Sequence, residues 1–107
     1  MFNLPDIGKT PEFFGTAAQA SITGLVLTFN GQLNATMSGK TAIIPVDTFG
    51  LFNEIVAHPS DYGFTNTTTP ACGVGSSSVA CGPVGSPLPF HYADGTNETF
   101  VFADGVH

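Results

Sequence analysis

An α/β fold is predicted by the order of patterns along this 107-residue chain. A strand end and its exit loop come first, then a long helical pattern, a short β-branched apolar run, and a second helical pattern. A helix and strand following a strand end make the right-handed crossover unit of a parallel sheet. Only 9% of the residues are charged, against about 25% in an ordinary soluble domain. The chain therefore reads as part of a larger domain whose remaining segments cover some of this apolar surface.

Residues 1–8 read as the end of a strand and the loop leaving it, and such loops line the ligand crevice of a doubly wound sheet. Asp6 is near a site by position, although a solvated loop residue or a helix-leading charge is its default role. Thr10 is a good N-cap, with Pro11 at the first helical position. From there Phe14, Ala18, Ile22, Leu25, Phe29, Leu33 and Met37 step by three or four, which predicts one helical face. That stripe reads as buried core in preference to a lipid-binding face. Gly15, Gly24 and Gly31 weaken the helix, each by up to about 1 kcal/mol relative to alanine, and would let it pack closely on a sheet. Gly39 ends the helix where a left-handed cap is favoured.

The run Thr41-Ala42-Ile43-Ile44-Pro45-Val46 predicts a strand buried on both faces, with Pro45 at its end or edge. Asp47 or Thr48 then caps a second helix over residues 49–57, stopped by Pro59. Beyond Pro59 glycine, proline, serine and threonine dominate, and residues 66–98 read as an irregular insertion too long for an ordinary loop. Asp94-Gly95 predicts the turn of a small hairpin between Phe90-His91-Tyr92 and Phe100-Val101-Phe102. The last run delivers Asp104 to the carboxyl end of a strand.

Cys72 and Cys81 enclose eight small, flexible residues, so the thiols can meet in a disulfide. Two reduced thiols in a cytosolic protein are the alternative, and no Cys-x-x-Cys or nearby histidine pair completes a four-ligand metal site. The loop chemistry favours the disulfide, which predicts a secreted or cell-surface location, in the periplasm, on the outer membrane or outside the cell. The amino terminus does not read as a signal peptide, because Pro5, Asp6 and Gly8 interrupt it. An export signal is therefore expected upstream of Met1.

The net charge is −6, and Lys9 and Lys40 are the only cationic Lys or Arg side chains. Phosphate binding needs clustered lysine and arginine, so nucleic acid is excluded as a partner. No run reaches the roughly 18 apolar residues that would span a membrane.

The closing segment Phe102-Ala103-Asp104-Gly105-Val106-His107 carries the chemistry. Residues three apart in a tight turn have Cα atoms within about 7 Å, so the Asp104 carboxylate can accept a hydrogen bond from one imidazole nitrogen of His107. The other nitrogen is then free to take a proton from a hydroxyl. Asp-Gly is also a common turn dipeptide, and a histidine in this position can simply be solvated. Ser76, Ser77 and Ser78 lie in Gly75-Ser-Ser-Ser-Val79, which is neither Gly-x-Ser-x-Gly nor Gly-Asp-Ser and reads as a flexible loop. Ser21, Ser38, Ser60 and Ser86 sit in a helical pattern or beside helix ends and turns. His58 reads as a helix-end residue, and His91 lies in the insertion with no second ligand nearby.

Five segments in this order, Asn3-Leu4-Pro5-Asp6-Ile7-Gly8-Lys9-Thr10-Pro11, Phe29-Asn30-Gly31-Gln32-Leu33, Val46-Asp47-Thr48-Phe49-Gly50-Leu51-Phe52-Asn53-Glu54-Ile55-Val56, His58-Pro59-Ser60-Asp61-Tyr62-Gly63-Phe64-Thr65-Asn66 and Phe100-Val101-Phe102-Ala103-Asp104-Gly105-Val106-His107, carry a resemblance. Their succession resembles the C-terminal part of the GDSL (SGNH) esterase and lipase family, in particular its bacterial secreted and autotransporter-like members. The resemblance implies a fragment of a three-layer α/β/α, flavodoxin-like parallel-sheet domain, with residues 1–107 as the C-terminal part of one SGNH hydrolase domain. It implies that Asp104 orients His107, and that His107 is the general base of a Ser-Asp-His triad. The family's Gly-Asp-Ser nucleophile, its oxyanion-hole glycine and asparagine, and the Pro-Thr that commonly follows the histidine are not among these residues. The chain alone is therefore expected to be inactive, its partner being the missing N-terminal half of the domain. A small-molecule or lipid ester is the implied substrate, no cofactor is implied, and an autotransporter barrel downstream is in keeping with some relatives. In a bacterial protein the sequons at Asn34, Asn66 and Asn97 are fortuitous. A non-enzymatic secreted binding module, or a truncated product without function, is the alternative.

Overall fold

A run of alanine, glutamine, leucine and methionine without proline favours helix, and in the computed structural model, which describes residues 1–107, helix α1 spans Gln19–Met37. It starts eight residues later than Thr10-Pro11 predict. A first turn does form there, with the Phe14 amide donating to the Thr10 carbonyl at 2.9 Å. Gly15, at φ +74°, then takes the left-handed conformation and breaks it. Thr10 instead closes the 3₁₀ turn Ile7–Lys9, its hydroxyl donating to the Ile7 carbonyl at 2.8 Å. Gly39 follows the helix at φ +79°.

The amino-terminal segment lies along α1 and is fastened by side chains. Asn30 mimics a strand neighbour, its amide oxygen accepting from the Leu4 N–H and its amide nitrogen donating to the Leu4 carbonyl, both at 2.8 Å. Asp6 leads the 3₁₀ turn Ile7–Lys9, one of its two expected roles, but it is not solvated: it is 1% exposed and accepts from the Thr23 hydroxyl at 2.7 Å. Gly8 is the one glycine packed tightly on the helix, since a Cβ there would stand 2.7 Å from the Gln19 carbonyl oxygen. Gly24 and Gly31, expected to admit close packing, face open space.

No strand forms over residues 41–46. Val46 makes a single parallel bridge with Phe2, and Ile44 is 80% exposed. A strand buried on both faces needs a neighbour on each side. Here the only backbone partners from another segment are Met1 and Asn3 on one side, and Pro45 brings no N–H. Helix α2, Thr48–Ala57, is capped by Asp47, whose carboxylate accepts from the Gly50 amide at 2.9 Å. Asn3 completes that cap, donating to Asp47 and accepting from the Thr48 hydroxyl and the Phe49 amide. Pro59 ends the helix by opening the 3₁₀ turn Pro59–Tyr62.

The rest of the chain is built from short pieces. Strands β1, Cys81–Pro83, and β2, Phe90–Tyr92, form a two-stranded parallel sheet with Cys81 opposite Phe90. The hairpin expected around Asp94-Gly95 is absent, because Gly95 at φ +82° leads into the one-turn helix α3, Thr96–Thr99. The chain emerging from α3 runs beside residues 65–72 instead. Phe100 bridges Asn66, and the Ala71 and Cys72 amides donate to the carbonyls of Phe102 and Ala103, both at 2.9 Å. The architecture is thus a small α/β arrangement of three helices and one two-stranded parallel sheet.

Little of it is enclosed. The radius of gyration is 16.0 Å, against about 13 Å for a compact domain of this length. The α1 stripe is not core: Leu25 is 67% and Phe29 49% exposed, and Val26 is the helix's one buried residue. Phe102 and Cys72 are the other buried hydrophobic side chains, and Phe102 meets the Phe52 ring edge-on at 5.9 Å between centroids. No helix is long and apolar enough to cross a membrane.

Candidate active site

Asp104 is 5% exposed, and every hydrogen bond it makes favours the ionised carboxylate. Oδ1 accepts from the main-chain N–H of Val106 at 3.0 Å and of His107 at 2.8 Å. Oδ2 accepts from the main-chain N–H of Ser78 at 2.7 Å. Burial alone would raise the carboxyl pKa. The three amides and the His107 side chain outweigh it and hold the group well below the usual carboxylate range.

The imidazole of His107 stands with Nδ1 3.0 Å from both Asp104 oxygens. An ionised carboxylate only accepts, so Nδ1 carries a proton and Nε2 of the neutral ring is an acceptor. The side chain is otherwise open, 70% exposed. The turn that makes this possible is closed by the Ala103 and Asp104 amides, both of which donate to the His107 main-chain oxygen. From the opposite side the Glu12 amide donates to the Gly105 carbonyl at 2.9 Å, tying the loop to the segment before α1.

The disulfide joins Cys72 to Cys81 across 6.1 Å between Cα atoms. A cleft of about 250 Å³ opens beside His107, walled by this bridge, Tyr92, Phe100 and Phe102. Serine is a different matter. Ser76 and Ser77 line a second hollow next to Asp104, but the Ser76 hydroxyl donates to the Gly73 carbonyl, and no serine hydroxyl is hydrogen-bonded to His107. His91 bonds the Ser86 carbonyl through Nε2, and His58 caps the end of α2. No cluster of three or more His, Cys, Asp or Glu side chains is assembled that could hold a metal ion. Asn66 closes a turn by accepting from the Thr68 and Thr69 amides.

Sequence reasoning missed the Ser78 amide. The donor is a main-chain N–H, which any residue but proline supplies, so side-chain identity carries no signal of it.

No family model matches the chain. It is similar to a GDSL esterase/lipase of Arabidopsis thaliana, 38% identical over 64 residues, which is 58% of this chain and 16% of that protein. It is 37% identical over 79 residues to an uncharacterized protein of the trpE–trpG intergenic region of Pseudomonas putida, covering 73% of this chain and 13% of that protein. Over 61 residues, 56% of the chain, it is 39% identical to the esterase EstA of Pseudomonas aeruginosa, of which it covers 9%. The chain thus spans between 9% and 16% of the length of these curated relatives.

Proposed function

We propose that this chain is the acid–base segment of a GDSL-type carboxylic ester hydrolase, with His107 as general base and Asp104 as the group that orients it. The single observation carrying the reading is the buried, amide-held carboxylate of Asp104 with both oxygens 3.0 Å from Nδ1 of an otherwise exposed imidazole. Partial similarity to proteins named as GDSL esterase/lipase and esterase supports the same class.

In this reading a serine outside residues 1–107 attacks the carbonyl of a small-molecule or lipid ester. His107 Nε2 takes the hydroxyl proton and returns it to the leaving alcohol. Asp104 fixes the Nδ1–H tautomer and stabilises the imidazolium that forms between the two transfers. Because three amides already keep Asp104 ionised, it meets that charge as an anion without itself taking the proton. Donors for the oxyanion come from the same missing segment, which completes a three-layer α/β/α parallel sheet. Neither a metal nor an organic cofactor enters. The disulfide and the esterase likeness support a secreted or cell-surface protein, with a membrane-anchoring barrel downstream in the autotransporter-like case.

A fluorophosphonate probe on the natural protein carrying this segment tests the proposal. Labelling of a serine that is lost in His107→Ala is the expected result. An unlabelled protein would leave a secreted binding module in its place. The 107-residue chain by itself should hydrolyse esters no faster than its own His107→Ala variant.

A further inference from the structure

We infer that the Cys72–Cys81 bridge is a positioning device for Asp104, acting through the main-chain N–H of Ser78. The two other amides on the carboxylate, those of Val106 and His107, belong to the Asp104 loop itself and both reach Oδ1. Ser78 is the one main-chain donor to Oδ2 and the one donor brought from outside that loop. Without it, Oδ2 keeps only the His107 ring as a partner, and the carboxylate is fixed by main-chain donors through Oδ1 alone.

A closed ring holds that amide in place. From Asp104 the chain steps back to Ala103, whose carbonyl accepts from the Cys72 amide at 2.9 Å. The ring then crosses the disulfide to Cys81, runs back through the 3₁₀ turn Ser78–Ala80, and closes through the Ser78 N–H onto Asp104 Oδ2. Strand β1, which begins at Cys81, holds the far end of the turn through its pairing with β2, but no other cross-link ties the turn to Cys72. Val74 is 95% and Val79 89% exposed, so no apolar packing anchors the loop, and Gly73 and Gly75 both sit at positive φ. With the bridge open, five small, flexible residues, 73–77, separate Ser78's turn from its anchor at Cys72.

The backbone also offers a clean way to delete the hydrogen bond. Ser78 is the first residue of its turn, where proline is tolerated. Ser77, at φ −122° and ψ 129°, already has the conformation required before proline. Ser78→Pro removes the N–H, whereas Ser78→Ala keeps it. Losing one hydrogen bond to a charged group costs about one factor of ten in the equilibrium it supports.

The inference rests on the acid–base reading only for its catalytic meaning, so the test reads the imidazole itself. In the natural protein carrying this segment, labelled with ¹⁵N-histidine, at a pH where His107 is neutral, the Nδ1–H tautomer should predominate. Its ratio to the Nε2–H tautomer should fall by about tenfold in Ser78→Pro and in Cys72→Ala/Cys81→Ala. Dithiothreitol should do the same, leaving thiols on Cys72 and Cys81 while the reagent closes to its own disulfide. Ser78→Ala and the His58 signals should not move, nor should the exchange protection of the Gly50 amide in α2. A ratio unchanged within about twofold in Ser78→Pro overturns the inference, and if that variant does not fold the double cysteine variant decides in the same way. Loss of Gly50 protection together with the tautomer shift also overturns it, because the bridge would then hold the whole chain and not the aspartate. In the ester hydrolase that carries this segment, Ser78→Pro should lower kcat by about tenfold with KM unchanged. Turnover indifferent to His107 would sink the esterase reading alone and leave the tautomer result standing.

Discussion

The helical stretch of the amino-terminal half, residues 19–57, is regular and open, whereas the carboxyl-terminal half is irregular and, around Asp104, enclosed. Helices α1 and α2 account for most of residues 19–57, yet Val26 is the one buried residue in either. Past Pro59 no element exceeds four residues, and there Pro70, Cys72, Gly82, Phe102 and Asp104 are all buried. Regular hydrogen bonding and burial are separate achievements. A helix satisfies its own amides wherever it lies, while its apolar stripe needs another surface to cover it. The irregular half instead satisfies its amides by turning them onto one another and onto a single carboxylate. Its structure is therefore organised around Asp104, in the way the first half is organised along α1.

The contrast can be broken first at the carboxylate. If the protein carrying this segment is the ester hydrolase proposed, Asp104→Asn should cost about three to four orders of magnitude in kcat, since an amide can present its N–H and trap the wrong tautomer. A loss under tenfold in steady-state assays would show that the enclosed half has no catalytic purpose. The same site sets a pH dependence. The folded-state pKa of Asp104 is depressed, so its contribution to stability is complete above the ordinary carboxylate value of about 4 and is lost as pH falls below it. Denaturation of the 107-residue chain between neutral and acidic pH should show that loss, and Asp104→Asn should flatten it.

Next comes the staple of the enclosed half. Cys72→Ala/Cys81→Ala should lower unfolding stability by about 2–3 kcal/mol, the loop entropy of a short closure, as read by urea titration. At the seam between the amino-terminal segment and α1, Gly8→Ala should cost about 1–3 kcal/mol through overpacking against the Gln19 carbonyl. The smallest effect belongs to the open half: Leu25→Ser, at a position 67% exposed, should stay within about 0.5 kcal/mol. A cost above about 1.5 kcal/mol there would mean that α1's apolar face is covered in solution, and sedimentation would then show self-association.

What the sequence made legible was what depends on neighbours along the chain. The Asp47 cap, the stop at Pro59, the left-handed Gly39 and the meeting of Cys72 with Cys81 are all set within about ten residues, and the Asp104–His107 contact is local in the same sense. Most features that differ from the sequence expectation depend on a distant partner. Residues 41–46 have the composition of a buried strand, but the backbone they meet is three residues long and lies on one side. The α1 stripe has the right period and no covering layer. The burial of Asp6 has no signal in the sequence, because nothing there points to Thr23 as its partner. Gly15 shows the limit even of local reading: Thr10 and Pro11 announce a helix, and one left-handed glycine postpones it to Gln19.

The amide of Glu12 that closes on the Gly105 carbonyl joins positions at opposite ends of the sequence. Contacts of such separation carry the largest loop-closure cost and form late in folding. On a ribosome α1 and α2 are complete before residue 104 has been added, and the bridge that steadies Ser78 must also wait for an oxidant. The docking of the Asp104 loop on the amino-terminal segment is consequently a late step, whereas the Asp104–His107 turn itself is closed by residues within four positions of one another.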